Sequence, residues 1–533
     1  MSTVAAIETQ TALLWLNFAG ILVIGAVLYV RYHGRGFDRV NLAFATVTFV
    51  LALVLRVLVS PFTLIHENAH GYEYLQTAFS GEGFPLHGAG YYAFFRVVTV
   101  VLGREPVVVF LANVVLSSAT AALLLPLGKL LTGDRNVGVF AGLLFAMWPA
   151  SIRIAASESM FPLAVFVGAA TLCVWLSAVR SGDKYQYLLA GLLLSFSVQI
   201  RPMMALWPPI LAIATISQPG WRGEVKRSGP WMAAVACVVM STAWLAFRVL
   251  DLKSQGVHSV VDLSPLRAAT LFFSSENLLW NGRWTPVSAL VLAALGVAVT
   301  VRSNWRVVVV LITSASLLSW FALAPSAGAE VSQLRLQGPI QLFLVLGAGL
   351  GAAFICGALP QRFRLAGSVV LVVLLGIAAA LRYDTVREIH NPQEEFRFLQ
   401  ETVGGLPGEC MVVTARKSMA HGVITTEFPA WWLDDRPLSN LSNVAEGQTM
   451  EDLWPCVVWY RGLTCYSFTW QEREAGEIPE SGFRRECARA EEAVILVPLA
   501  ETSISSKPYV SYIRPEREDL DIGFYQVLAK GHE

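Results

Sequence analysis

His66-Glu67-Asn68-Ala69-His70 places two imidazoles and a carboxylate within about one helical turn, and Glu73 follows three residues later. Histidines at this spacing share a helix face and can hold a zinc ion while the glutamate activates a water. The same carboxylate can act without metal, as a general base that takes a proton from a hydroxyl. Downstream, His87-Gly88-Ala89-Gly90-Tyr91-Tyr92 sets a histidine and tyrosines beside glycines that permit close backbone approach. Glu158 stands among small residues in Ala156-Ser157-Glu158-Ser159-Met160. It can stabilise a helix N-terminus through the dipole, or face a ligand for which those residues leave room. Arg201, in Ile200-Arg201-Pro202, can reach lipid headgroups or bind a phosphate. Glu330 and Arg335 can be a site pair, or an exposed ion pair of little worth.

The surroundings of these residues are strongly apolar. The 533 residues are 55% hydrophobic and 15% charged, well below the roughly 25% charged of soluble domains. Formal net charge is zero, so bulk electrostatics make no case for nucleic acid. Residues 1–11 lack the basic region of a cleavable leader, and Ala12–Val30 is long enough to span a bilayer. Hydropathy predicts twelve spans, at roughly 12–31, 41–60, 106–131, 137–153, 159–179, 186–200, 202–217, 230–250, 286–302, 307–323, 338–357 and 366–381. Arg31, Arg35, Arg39, Lys129, Arg135, Arg180, Lys184, Arg222, Lys226, Arg227, Arg302, Arg306, Arg362 and Arg364 all fall in alternate short connections, which marks the cytoplasmic face. The stretches at 61–105, 251–285 and 324–337, and the tail from 382, are thereby expected outside. The spacing of Tyr72, Leu75 and Phe79 predicts an interfacial helix over 67–80, and a second apolar helix is expected near 91–102.

The expected fold is therefore a polytopic α-helical membrane domain, 1–381, followed by a small α/β or α+β extracytoplasmic domain, 382–533. Asn391-Pro392-Gln393-Glu394 reads as a helix start, and 410–415, 457–460, 493–498 and 525–529 read as strands. Cys410, Cys456, Cys465 and Cys487 lie in this tail, where an oxidising compartment permits disulfides; four cysteines allow three pairings.

The order and sidedness of these features resemble GT-C glycosyltransferases of the type that includes protein O-mannosyltransferases and lipid A aminoarabinose transferases. The resemblance rests on the acidic first outer loop (Glu67, Glu73), on Ala155-Ala156-Ser157-Glu158-Ser159, on Leu189 to Ser195 followed by Gln199-Ile200-Arg201-Pro202, and on Glu330 to Pro339, and it covers about residues 41–381. This chain has His66-Glu67 where the family usually has an aspartate, and an additional span at the start. The resemblance implies an inner-membrane enzyme that moves a sugar from a polyprenyl-phosphate donor to a lipid, glycan or protein hydroxyl. Glu67 would be the base with Glu73 second, and Glu158 would position the acceptor. Arg201 and Arg335 would hold the donor phosphate, and His66, His70, His87, Tyr91 and Glu330 would contact substrate. The resemblance fixes no cofactor and leaves room for a divalent metal ion; if one takes part, Glu67 and Glu158 are its ligands. Two alternatives stand beside this one. His66-Glu67-x-x-His70 spells a zinc protease, although no third ligand follows at a family spacing. A transporter or polymer ligase would place polar groups near the bilayer midplane, whereas here they gather at the outer edge, Arg56 aside.

Overall fold

The computed structural model describes residues 3–32, 38–65, 70–80, 88–254, 282–323, 338–387, 394–415, 437–445, 447–466, 482–505 and 519–529. The chain divides into two compact units, Met1–Phe62 with Gly81–Glu388, and Thr63–Ser80 with Ile389–Glu533. Within the stretch between the second and third expected spans, Thr63–Ser80 thus groups with the tail, while the part from Gly81 groups with the helices that follow it.

The first unit is helical. In chain order its elements begin with α1 (Thr3–Tyr32) and α2 (Arg39–Val59); α3 (His70–Ser80) belongs to the other unit. Then come α4 (Ala89–Leu102), α5 (Pro106–Thr132), α6 (Arg135–Met147), α7 (Pro149–Ala155), α8 (Phe161–Ser181), α9 (Lys184–Ile200), α10 (Trp207–Ser217), α11 (Trp221–Glu224) and α12 (Ser228–Ser254). The set closes with α13 (Val287–Leu323), α14 (Gly338–Ala358), α15 (Arg364–Ala380) and α16 (Tyr383–Arg387). Among the described residues seven helices are long and apolar enough to cross a membrane, or eight if α6 and α7 form one broken span. All twelve expected segments are helical over most of their length, but one divides differently. The segment at 137–153 bends by 61° at Trp148-Pro149, because proline has no N–H for the carbonyl one turn back. The segments at 286–302 and 307–323 are two helices that meet at a kink at Asn304, between Arg302 and Arg306, as the sequence divides them.

The bundle has two chemically distinct ends. At one, Asp183 caps α9 through the Tyr185 N–H (2.9 Å), accepts from the Tyr32 hydroxyl (2.7 Å) and pairs with Arg31 (3.3 Å). Glu224 pairs there with Arg227 (2.7 Å) and accepts from Tyr187 (3.1 Å). The other end carries the start of α4, the α6–α7 bend, the α7–α8 turn and the end of α9, and there the polar groups serve one another rather than the connections.

The second unit contains α17 (Glu394–Thr402), α18 (Gly482–Glu492) and a five-stranded sheet: β1 (Met411–Thr414), β2 (Leu438–Asn440), β3 (Val457–Arg461), β4 (Ile495–Ser505) and β5 (Asp519–Leu528), in the order β2-β1-β3-β5-β4. β1 runs parallel to β2 and β3, and β5 antiparallel to β3 and β4. Val458 and Tyr460 of β3 pack with Leu399, Val412 and Phe524, while Val457 and Trp459 pack with Val413, Tyr525 and Val527. A central strand covered on both faces explains why Val457-Val458-Trp459-Tyr460 shows no apolar–polar alternation. Arg461 makes a two-pronged bond to Glu491 (2.6 and 2.8 Å) and lies over the Tyr525 ring. Burial pulls this guanidinium's pKa down, but the Glu491 carboxylate outweighs it and the net shift is upward.

Two disulfides staple this sheet. Cys410–Cys456 joins the residues just before β1 and β3, and Cys465–Cys487 ties the turn after β3 to α18. Alkylation followed by mass spectrometry should label these four thiols only after reductant. Breaking either bridge by Cys→Ser should cost about 2–4 kcal/mol of this unit's stability. Full labelling without reductant would refute the expectation.

Candidate functional site

The α6–α7 break creates the central turn. α7 ends at Ala155, and Ala156 to Met160 carry the chain to α8, whose second residue is Pro162. The main chain of this turn is held from two other helices. Asn113 of α5 donates one amide nitrogen to the carbonyls of Ser157 (2.7 Å) and Ser159 (2.9 Å). The Tyr91 hydroxyl of α4 donates to the carbonyl of Glu158 itself (2.7 Å). Within the turn, Ser157 Oγ donates to the Ile154 carbonyl (2.7 Å) and the Phe161 N–H donates to Ser159 Oγ (3.3 Å). Three consecutive carbonyls with dedicated donors give Glu158 a fixed backbone. Its side chain is fully buried, as is that of Arg153 on α7, and the two lie within electrostatic reach of each other. Opposite charges so placed offset part of the cost of burying either alone.

The start of α4 is seated by two glycines. Gly88 has φ +90°, and a Cβ there would meet Met160 Sδ at 2.7 Å; a Cβ on Gly90 would lie 3.1 Å from the Ile200 nitrogen. Only glycine lets this chain approach the turn and the end of α9 together. α9 stops where Pro202 pushes the preceding residue into extended geometry: Arg201 has φ −147° and ψ 130°, and its N–H still bonds the Ser197 carbonyl (3.1 Å). The Arg201 guanidinium lies 4.9 Å over the Phe161 ring, and its Nε is buried with no hydrogen-bond partner among the described residues. Behind the turn, a small cleft of about 20 Å³ is lined by Ser117, Thr120, Ser151, Phe161 and Gln341, among others.

Of the residues expected from sequence, Tyr91, Glu158 and Arg201 come together here, although 110 positions separate the first from the last. His66, Glu67, His87, Glu330 and Arg335 lie outside the described residues. His70 and Glu73 fall on α3, in the second unit. Among the described residues no three His, Cys, Asp or Glu side chains gather as a metal site would require. Asn113 and Arg153 were not anticipated. Their signal was a lone amide and a lone guanidinium inside apolar segments, at 106–131 and 137–153, where an unneeded polar group would be costly.

Residues 87–247, the stretch that holds this constellation, match the family model described as dolichyl-phosphate-mannose-protein mannosyltransferase. Among solved structures the chain is similar to ArnT from Cupriavidus metallidurans in the apo state, with TM-score 0.54 and 11% identity over 91% of this chain and 97% of that one. It is similar to ArnT bound to undecaprenyl phosphate at TM-score 0.54 and 10% identity, over 92% and 98%. It is also similar to the Archaeoglobus fulgidus oligosaccharyltransferase in complex with Zn and sulfate, at TM-score 0.50 and 11% identity, over 87% and 72%. At these identities the structural likeness is one of fold. No curated protein matches the chain in sequence.

Proposed function

We propose that this chain is a glycosyltransferase of the GT-C type, which transfers a sugar from a polyprenyl-phosphate donor to an acceptor hydroxyl at the outer face of the inner membrane; the family model matched over residues 87–247 and the ArnT-like fold support the reading. The observation that carries the reading is the meeting of Tyr91, Glu158 and Arg201 at the end of the bundle opposite the basic connections. A buried carboxylate and a half-buried guanidinium at one membrane edge suit a polar acceptor and a lipid-linked phosphate.

In the proposed reaction Glu67 removes the acceptor's hydroxyl proton as its oxygen attacks the anomeric carbon. The bond from that carbon to the phosphate oxygen breaks in the same displacement, which inverts the centre. Polyprenyl phosphate leaves as an anion, so it needs positive charge rather than a proton donor. Arg201 and Arg335 provide it. Glu158 orients the acceptor, its own charge offset by Arg153, and Glu73 is the second candidate for the base. If a divalent cation assists, Glu67 and Glu158 bind it. Tyr91, His66, His70, His87 and Glu330 line the substrates, and the disulfide-bonded tail contributes to acceptor recognition outside the cytoplasm. ArnT was solved with undecaprenyl phosphate bound, and this supports a donor of the same class here.

The purified full chain, in detergent or a nanodisc, should release free polyprenyl phosphate from synthetic polyprenyl-phosphate hexoses or pentoses, with inversion at the anomeric carbon. Failure to consume any such donor, alongside zinc-dependent peptide cleavage, would replace this reading with the protease.

A further inference from the structure

Arg56 sits fully buried near the end of α2, 102 positions before Glu158 in sequence. All five of its N–H donors are used. Nε donates to Ser117 Oγ (2.9 Å). One terminal nitrogen donates to the carbonyls of Ala52 (3.1 Å) and Ala146 (3.2 Å), and the other to the Phe145 carbonyl (3.4 Å) and Ser151 Oγ (3.1 Å). A guanidinium saturated by its own protein has no donor left for a substrate phosphate. Its partners explain its place. Phe145 and Ala146 are the penultimate residues of α6, at the break where Pro149 offers no N–H. The last carbonyls of a helix lack intrahelical donors, and away from water each such orphan is costly. Here every one of the last three is met by a side chain: Phe145 by Arg56 and by Ser151 Oγ (2.7 Å), Ala146 by Arg56, and Met147 by the hydroxyl of Tyr383 (3.3 Å).

We propose that Arg56, seconded by Tyr383, is a positioning residue for sugar transfer: it holds the α6–α7 break open at its observed angle, and through α7 it sets where Arg153 and Glu158 stand. Five bonds to four helices make it the joint between α2, α5, α6 and α7. The short α7 has only seven residues before the catalytic turn, so a change in the bend displaces Glu158 directly. The chemistry assigned to Glu158 rests on the glycosyltransferase reading above, whereas the mechanical role does not.

Two measurements on the full chain separate these. Hydrogen exchange read by mass spectrometry should show faster exchange across residues 148–160 in Arg56→Gln, with the remainder of the first unit unchanged. Transfer from a polyprenyl-phosphate sugar should fall about tenfold or more in kcat, with the donor KM unchanged. Arg56→Lys, which keeps a charge and three donors, should recover part of the loss. In a Glu158→Gln background, Arg56→Gln should add less than about twofold, because residues acting through one group are not additive. If Arg56→Gln does not fold, Tyr383→Phe replaces it, with a smaller loss of the same pattern expected. Unchanged exchange across 148–160, or full additivity with Glu158→Gln, overturns the proposal. A parent chain that shows no transfer at all overturns the functional reading, and with it the part of Arg56 in sugar transfer, whatever the exchange data show.

Discussion

Replacing Glu67 with Gln should lower sugar transfer on the order of a hundredfold or more, the usual scale for removing a general base, while His70→Gln retains measurable transfer. The comparison matters because the two chemistries available to His66-Glu67-x-x-His70 agree about the glutamate and disagree about the histidines. In a zinc protease both imidazoles are direct ligands, so losing either removes the metal and nearly all activity. In a transferase the histidines contact substrate or orient Glu67, and neither task is absolute. Metal content and donor consumption should therefore be measured on the same purified samples of the parent and both variants. Zinc-free protein that consumes the donor, with Glu67→Gln inactive and His70→Gln impaired, is the expected outcome. Stoichiometric zinc that disappears in His70→Gln, in a parent that transfers no sugar, would sink it. The protease would also leave the assembled Glu158, Arg153 and Arg201 without a task.

Arg201→Ala should raise the donor KM by about 10- to 100-fold, as expected for loss of hydrogen bonds to a charged group, worth roughly 1.5–3 kcal/mol. Among the described residues its Nε is buried without a partner, so a phosphate oxygen would recover a desolvation cost carried there. The backbone at Arg201 is set by Pro202 and its guanidinium by the Phe161 face, so the planar fork is held in place before any ligand arrives. Lysine supplies the charge but neither the fork nor the stacking, and Arg201→Lys should leave most of the defect. Free polyprenyl phosphate should inhibit the parent competitively and inhibit Arg201→Ala correspondingly less. An unchanged donor KM with a lower kcat would show that Arg201 serves the reacting centre or the fold rather than phosphate binding.

The sequence alone was enough for those properties that a short stretch decides by itself. Each of the twelve segments expected to span is helical over most of its length, because a stretch that lies in lipid has to satisfy its own backbone. Pro202 marked the boundary between the segments at 186–200 and 202–217, since its restriction on the preceding residue is a local fact, whereas the bend at Pro149 fell inside the single span expected at 137–153. The glycines at 88 and 90 read as sites of close approach, and the four tail cysteines as disulfide-competent. What those local facts could not decide was partnership. That Asn113 would clamp both sides of Glu158, that Tyr91 would hold its carbonyl, and that Arg56 would close the orphaned end of α6 depend on which helix faces meet across 44 to 95 positions. The same holds for Cys410 choosing Cys456, for the three-residue strand β2, too short to show a period, and for the grouping of α3 with the tail. An apolar run reports that a segment is buried in lipid or protein. Only the packed bundle determines which polar group on one helix satisfies which on another, because that choice follows from shape and hydrogen-bond geometry summed over every neighbour at once.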